Sequence, residues 1–340
     1  MSSSCSAVGV DPTPGPPWDR AFGDGLSTSA TDRFPTGAVS LPSAALLDAL
    51  RATPDAALLE ALTGPDGARL VGRLLDVVVA HSTTDTYDGP EVVLRFELER
   101  RGALVHTASL LVDRGGVVVL GGEVRPSARA RRVTIRTSVL RFARLVTDER
   151  DAVLELLAGR LTLVGEEIAV LAAGRVLRVP DRVAPLVDPG ALDPVAVATV
   201  LRGVPTDQLR AVMTGPFRPV VLDEVFRRLP EHLSPRVPSR LRVAVVFRLA
   251  GAPGGGHDRY VVELADGVAT TYPLVGPAGA DESVDQHRDA TITCSGEDFL
   301  RVATGHLNPL TGVLRGLLRV RGDRAKALLL SSAIDIPRPS

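Results

Sequence analysis

Alternating apolar and polar positions predict one strand near the middle of each half of the chain. In the segment VVLRFELER, apolar positions that include Phe96 alternate with charged residues. The later segment LRVAVVFRL repeats this pattern around Phe247. A period of two places the apolar side chains on one face, so each segment is predicted to be a half-buried strand. A two-strand meander follows each strand, with turns predicted at 114–115 and 266–267.

Apolar residues at helical spacing precede both of these strands. They extend over Ser43 to Ala61 in the first half and over Pro194 to Met213 in the second, and a Thr-Gly-Pro sequence follows at or near the end of each segment. Steps of three and four residues between apolar positions predict a helix in both places. A further helix is predicted around Arg69 to Ala80 and around Val221 to Leu229. Each half therefore begins with helices and continues with strands.

The C-terminal stretch TITCSGEDFLRVATGHLNPLTGVLRGLLRVRGDRAKALLL shows how each half is predicted to end. Residues 290–294 alternate as a strand, and Ser295 is placed as the N-cap of the helix that follows. Asn308 and Pro309 are an N-cap and first helical residue, which begins a second helix. A short strand then reaches a turn at 322–323, before a last apolar helix. The predicted order is strand, two helices, strand and helix.

The two halves also match each other along the sequence. Residues 52–65 match 203–216 at a shift of 151, with Thr-Gly-Pro in register. Further along the chain the shift becomes 157, and it carries Phe142 onto Phe299. Many matches in one register are typical of an internal repeat. We therefore predict a tandem duplication whose second copy has six extra residues in its loops.

This repeat defines the predicted domain organisation. Residues 1–40 are rich in Ser, Gly, Pro and Thr without periodicity, so they are predicted to be a disordered tail. The first, more divergent domain is predicted at 41–178 and the second at 194–336. A linker rich in proline is predicted at 179–193.

The pattern of the second copy resembles the sterol carrier protein type 2 domain. The resemblance is carried by the strand before an acidic helix start, by the Ala-Thr-Gly-x-Leu-Asn-Pro turn at 303–309, and by the strand exit at 316–323. It covers about 221–334. The match is weaker in the first copy, where Glu166 stands in place of Asp323. The resemblance therefore supports a family-type cavity more strongly in the second copy than in the first.

This resemblance implies an α/β (α+β) fold with two sterol-carrier-like domains. Each domain would be a mixed five-stranded sheet covered by helices, with an apolar cavity between the two layers. The family accepts sterols, fatty acyl chains and other hydrophobic molecules in that cavity. It offers no catalytic residues to carry over, so only wall positions are predicted here.

Apolar positions on the predicted elements are the candidates for the cavity wall. In the second copy they are Phe247, Phe299, Val302, Leu310, Val313, Leu314, Leu317 and Leu328. In the first copy they are Phe96, Phe142, Leu145, Val153, Leu157 and Leu171. The alternative is that these side chains pack against the sheet as ordinary core, since helix faces towards a sheet are apolar in every α/β protein.

Composition and charge exclude several classes of function. The 340 residues are 45% hydrophobic and carry a net charge of −1, which lacks the basic excess of a nucleic-acid-binding protein. No apolar run is long enough to span a bilayer, and the N-terminus does not have the pattern of a signal peptide. Two cysteines fit a reducing compartment. We therefore expect a cytoplasmic protein without a nucleic-acid partner or a membrane span.

The sequence offers little catalytic chemistry. None of its six histidines has metal-ligand spacing with a cysteine or another histidine, so no metal site is predicted. No Gly-x-Ser-x-Gly, Walker-type or His-Glu-x-x-His motif is present, and no catalytic residue or cofactor is predicted. His81 and His232 correspond between the copies and are interpreted as residues at helix ends.

We therefore expect a protein that binds and shields a hydrophobic small molecule, rather than an enzyme. One alternative is a cyclase or isomerase that uses the cavity on a hydrophobic intermediate. Another is an interaction scaffold without an open cavity. Because two copies in one chain offer each other an interface, we also expect a monomer with pseudo-twofold pairing of its domains.

Overall fold

The structure is a computed structural model that describes residues 34–35, 38–121, 124–274 and 288–336. Most of the predicted N-terminal tail therefore lies outside the described residues. The part of the chain that is described forms two mixed five-stranded sheets, each packed against helices. The α/β fold class expected from the sequence is confirmed.

The first half forms one sheet in the order β3-β2-β1-β4-β5. Its strands are β1 (Val92–Arg100), β2 (Ala103–Asp113), β3 (Gly116–Val119), β4 (Arg131–Ser138) and β5 (Leu161–Gly165). Its helices are α1 (Ser43–Ala52), α2 (Asp55–Thr63), α3 (Gly67–His81), α4 (Val139–Val146), α5 (Ala152–Leu157) and α6 (Ala169–Gly174). The pair β1–β4 is parallel and the other neighbours are antiparallel.

The second half forms a sheet in the order β10-β9-β6-β7-β8. Its strands are β6 (Val243–Ala250), β7 (His257–Ala265), β8 (Val268–Pro273), β9 (Ala290–Ser295) and β10 (Arg319–Gly322). Its helices are α7 (Pro194–Leu201), α8 (Thr206–Thr214), α9 (Arg218–Arg228), α10 (Gly296–Ala303), α11 (Pro309–Leu314) and α12 (Arg324–Ala333). The parallel pair is now β6–β9.

The two sheets have the same strand order and the same register at their parallel pairs. Phe96 lies opposite Ile135 across β1 and β4, and Phe247 lies opposite Ile292 across β6 and β9. These pairs are related by the shifts of 151 and 157 residues found in the sequence. Positions related by these shifts are called equivalent below.

The local signals that predicted helix starts are confirmed in the second half. The hydroxyl of Ser295 accepts a hydrogen bond from the backbone N–H of Asp298 (3.1 Å). The side chain of Asn308 accepts from the backbone N–H groups of Leu310 (3.0 Å) and Thr311 (3.3 Å). Both side chains satisfy donors that a helix N-terminus leaves without a partner.

The first helical segment of each half differs from the prediction, because it is two helices rather than one. The break falls at Pro54 in the first half and at Pro205 in the second. Each proline has extended ψ, 148° and 147°, and stands immediately before the second helix. Proline favours a helix start because it lacks the N–H that an interior position needs, so the apolar periodicity continues across a bend in the chain.

The two halves contact each other through α5. Its residues Val153 and Leu154 pack against the apolar core of the second half, and Leu157 is part of that core. The amide of Gln208 on α8 donates a hydrogen bond to the carbonyl of Leu156 (3.3 Å). In return, Phe217 of the second half packs against the core of the first. The contact is therefore apolar, with a hydrogen bond at its edge.

This contact is not reciprocal. The equivalents of Val153 and Leu157 on α11 are Leu310 and Leu314, and both are exposed. The pseudo-twofold pairing expected from the sequence is therefore not seen at these helices. A twofold axis would require α11 to pack against the first half as α5 packs against the second.

A buried arginine joins three elements of the second half. The guanidinium of Arg218, at the start of α9, donates to the carbonyl of Met213 (2.6 Å) and to the carbonyl of Leu249 (2.6 Å). It also donates to the carboxylate of Asp258 on β7 (2.5 Å). Its side chain is 1% exposed, so these partners replace the water it loses. Gly296 makes room for it, since a Cβ there would lie 2.7 Å from the guanidinium.

The first half binds the equivalent carbonyl in another way. Its counterparts of Arg218 and Met213 are Gly67 and Leu62, and His106 occupies the strand position of Asp258. The Nε2 of His106 donates to the carbonyl of Leu62 (2.7 Å). A Cβ at Gly67 would lie 2.1 Å from the carbonyl oxygen of Leu62 and 3.1 Å from that nitrogen, so the glycine makes space for this hydrogen bond. Gly67 and His106 of the first half thus take the place of Arg218 and Asp258 of the second half.

We expect the substitution Arg218→Gly to lower the free energy of unfolding by about 3 kcal/mol, because it leaves buried carbonyl groups without donors. The double variant Arg218→Gly, Asp258→His transfers the arrangement of the first half, so it should recover part of that loss. Thermal unfolding followed by circular dichroism measures both effects. Arg242→Gly, which removes an exposed ion pair with Asp266, is the control and should change little. A double variant less stable than the single one would contradict the equivalence.

Candidate functional site

A large apolar cavity lies inside the first half, and residues of the second half complete its wall. It has a volume of about 510 Å³ and is called the main cavity below. The sheet contributes Phe96 and Ile135 to its wall, and α4 and α5 contribute further apolar side chains. Helices α7, α8 and α9 of the second half complete the wall, for example with Val197, Val212 and Val221. The site is therefore built by both halves.

All six positions predicted for the first copy border this cavity. They are Phe96, Phe142, Leu145, Val153, Leu157 and Leu171. The rings of Phe96 and Phe142 contact each other, with centroids 5.4 Å apart. Their alternation on β1 and helical spacing on α4 to α6 carried the signal that placed them.

A smaller cavity of about 110 Å³ lies inside the second half. Phe247, Phe299 and Val302 border it, as three of the positions predicted for the second copy. Aromatic side chains explain its small size. Phe226 stacks on Tyr260 (centroids 4.0 Å apart) and on Phe299 (5.0 Å apart).

The first half has smaller side chains at two of the corresponding positions. Leu75 is the equivalent of Phe226, and Ala108 lies opposite Phe96 on the sheet as Tyr260 lies opposite Phe247. The interior that aromatic rings fill in the second half is therefore open in the first. The resemblance gave more support to a cavity in the second copy, but the larger cavity lies in the first.

The other five positions predicted for the second copy are corrected. Leu317 is half-buried and packs against the second core without bordering either cavity. Leu310, Val313, Leu314 and Leu328 are exposed. Their helical spacing correctly gives α11 and α12 an apolar face. In the second half, however, no described element covers that face as the second half covers α5, so these side chains face outwards.

The wall contributed by the second half was not predicted from sequence. Val221 and Val225 lie on α9 at a four-residue step, which is equally consistent with packing against their own sheet. Only the contact between the halves places these residues at a cavity centred in the other half. No local signal in the sequence could have shown it.

One end of the main cavity carries charged side chains that are already paired. Glu224 accepts hydrogen bonds from Arg227 (2.7 Å) and from Arg228. Burial tends to raise the pKa of Glu224, but the two arginines outweigh it and the pKa lies below its ordinary value. Arg228 also donates to the carbonyls of Leu192 and Gly190 (2.6 Å to Gly190), which holds the segment before α7 against α9. The hydrogen bonds of Glu224 and Arg228 thus hold α9 and the segment before α7 together at this end of the cavity.

Part of the second half is similar to a known protein family. Residues 239–335 match the model of the SCP-2 sterol transfer family. This segment is therefore similar to that family, and we call it the SCP-2 segment. It contains β6 to β10, α10 to α12 and most of the residues that line the smaller cavity.

Relatives of the SCP-2 segment come from animals and plants. Sterol carrier protein 2 of Homo sapiens is 27% identical over 132 residues, which cover 37% of this chain and 22% of the human protein. The protein of the same name from Arabidopsis thaliana is 28% identical over 123 residues, which cover 35% of this chain and 92% of the plant protein. The chain thus spans about a fifth of the human relative. A solution structure of palmitated SCP2L2 from Aedes aegypti is 17% identical, with a TM-score of 0.26, covering 33% of this chain and 91% of that one.

His232 lies between the two cavities, seven residues before the start of the SCP-2 segment. It borders both of them, together with Val225 and Ala303. Within the described part of the chain, no hydrogen bond is made by its imidazole ring, whereas His81 contacts the carbonyl of Val77 (2.8 Å) at the end of α3. Both histidines lie at helix ends, as expected, but His232 also offers a polar group to the cavities.

Metal and membrane-spanning features are absent from the described residues. Over 34–35, 38–121, 124–274 and 288–336, no group of three or more His, Cys, Asp or Glu side chains could hold a metal ion. Within the same ranges, no helix has both the length and the hydropathy needed to cross a bilayer.

The thiol of Cys294, in the SCP-2 segment, is buried. Burial first, and then the nearby carboxylates of Asp298 and Glu297, together raise the pKa of Cys294 to about 12. A raised pKa keeps the thiol protonated up to that pH, and the protonated form is a poor nucleophile.

We expect Cys294 to resist 5,5′-dithiobis(2-nitrobenzoate) at about pH 8, because few of its thiols are ionised there and solvent does not reach them. In a Cys5→Ser background, the native protein should show no fast-reacting thiol and the denatured protein should show one. Rapid reaction of the native variant would show that the thiol is accessible and ionised.

Proposed function

We propose that the protein binds and shields a hydrophobic small molecule in the main cavity. The observation that carries this proposal is an apolar cavity of about 510 Å³ built by both halves. This volume lies within the roughly 300–1,000 Å³ typical of small-molecule sites. The family of the SCP-2 segment supports a lipid or sterol as the class of ligand. An open interior also favours binding over a scaffold whose interior is filled.

Apolar contact would supply most of the affinity. Each methylene buried contributes about 0.8 kcal/mol, so roughly ten methylenes reach micromolar affinity before the costs of ordering. Most polar wall groups already have protein partners. The hydroxyl of Thr137 donates to the carbonyl of Arg160 (3.1 Å), and Gln208 and Glu224 are bonded as described. A long apolar ligand with one polar group directed towards His232 fits this wall best.

The two halves would have different roles in this function. We infer that they arose by duplication, which is supported by their equal strand order and the repeated register. The first half holds the ligand, and α7 to α9 of the second half close the cavity over it. Because one chain completes its own site, we propose that it acts as a monomer, and we retain the cytoplasm as its expected location.

We expect Val197→Trp to weaken ligand binding about tenfold or more, since an indole ring at this wall position occupies space that about two methylenes would fill. Fluorescence titration with NBD-labelled stearate and with dehydroergosterol measures this change. Val195→Trp is the matched control, because Val195 lies on the same helix but is exposed and borders neither cavity.

Circular dichroism of both variants separates loss of binding from loss of fold. Equal binding by the folded Val197→Trp variant and the wild type would contradict the main cavity as the site. Weaker binding by Val195→Trp alone would contradict it as well.

We also expect one ligand per chain. The smaller cavity, at about 110 Å³, falls below the volume typical of small-molecule sites, because the rings around Phe226 fill the second half. Native mass spectrometry of protein purified from a lipid-containing host measures the number of bound molecules and their mass. Two molecules per chain would show that the second half binds independently.

A further inference from the structure

Four apolar side chains of α11 and α12 are exposed at positions whose equivalents border the main cavity. Leu310 is 53% exposed, Val313 37%, Leu314 80% and Leu328 48%. Their equivalents on α5 and α6 are Val153, Leu156, Leu157 and Leu171, which all border the main cavity. The second half covers α5, whereas no described element covers α11. We call the four exposed residues the C-terminal patch.

Three of these residues, Leu310, Val313 and Leu314, lie on one face of α11, and Leu328 lies on α12. Their equivalents border a single cavity, so the shared fold brings the four positions together. A second observation agrees, because Pro309 at the start of α11 and Ala327 on α12 border the same small cavity. The exposed residues next to them in sequence thus flank one region of the surface.

The surroundings of the patch are strongly basic. Residues 310–329 contain five basic residues and one acidic residue, Asp323, in a chain whose net charge is −1. Lys326 is paired with Asp289 (2.5 Å), and Asp323 caps α12. Four exposed arginines remain around the patch: Arg315, Arg319, Arg321 and Arg324.

The equivalent segment of the first half has the opposite charge. Residues 153–172 contain three glutamates and one arginine, Arg160. In that half the apolar positions are covered by protein, and the segment is acidic. In the second half they are uncovered, and the segment is basic. The segment is therefore basic in the half where its apolar side chains are exposed, and acidic in the half where they are covered.

We propose that the C-terminal patch docks the protein on an anionic lipid surface. Exposed leucine and valine side chains insert among the acyl chains at the interface, and arginines around them contact lipid phosphates. A basic apolar surface is complementary to such a bilayer. This interaction is additional to ligand binding and does not require the main cavity to be occupied.

A second copy of the chain fits the patch less well. Two patches facing each other would bring eight arginines together, which disfavours a symmetric dimer. The surface of α7 and α8 that receives α5 is already covered within the chain. The corresponding helix α2 presents Glu60 where α8 has Ala211, so it does not offer the same apolar surface.

Co-sedimentation of the full chain with vesicles tests the proposal. Vesicles of phosphatidylcholine mixed with phosphatidylglycerol should bind the protein, vesicles of phosphatidylcholine alone should bind it much less, and high salt should weaken binding. Each of the four single variants Arg315→Gln, Arg319→Gln, Arg321→Gln and Arg324→Gln should weaken vesicle binding about fivefold. The triple variant Leu310→Ser, Val313→Ser, Leu314→Ser should reduce it about tenfold or more.

The control variant Leu104→Ser, Val268→Ser removes two exposed apolar side chains of the hairpins and should bind vesicles as the wild type does. The Val197→Trp variant should also bind as the wild type does, which separates this proposal from ligand binding. Equal binding to neutral and anionic vesicles, or full binding by the triple serine variant, would overturn the proposal. So would a dimer, detected by light scattering, that the triple serine variant abolishes.

Discussion

The structure depends on the packing of α5 against the second half. Val153, Leu154 and Leu157 remove their apolar surface from water only because α7 and α8 cover them. The same contact closes the main cavity, because it brings Val197 and Val212 over the open side of the first half. Without it, the first half would expose both its helix and its interior. The site and the arrangement of the two halves thus have one physical origin.

The first half keeps an open interior within a core of buried apolar residues. Its helices are fixed by polar contacts at their ends, such as the buried Arg144, which donates to the carbonyls of Leu50 (3.0 Å) and Thr53 (2.7 Å) and to Asp55. The second half instead stacks Phe226 between Tyr260 and Phe299. The two halves therefore share one fold but differ in whether aromatic rings fill its interior.

Most of the fold follows from local patterns, whereas the site follows only in part. Alternation around Phe96, and the capping residues Ser295 and Asn308, act over a few residues, so sequence alone located these elements. The burial of Leu157 and the exposure of its equivalent Leu314 cannot be distinguished in this way, since both lie on similar amphipathic helices. The difference arises from which element covers each helix. The packing of the two halves against each other likewise places Val221 at the wall of a cavity in the first half.

The two ways of binding one buried carbonyl bear on how the chain folds. Tandem repeats can misassemble by exchanging equivalent strands between copies. If β7 took the place of β2, the carboxylate of Asp258 would face the carbonyl of Leu62 without a donor between them. If β2 took the place of β7, His106 would meet the guanidinium of Arg218 without a counter-charge. Each exchange would bury a mismatch that the pairing in the structure avoids, so His106 and Asp258 favour the pairing of β2 and β7 with their own sheets.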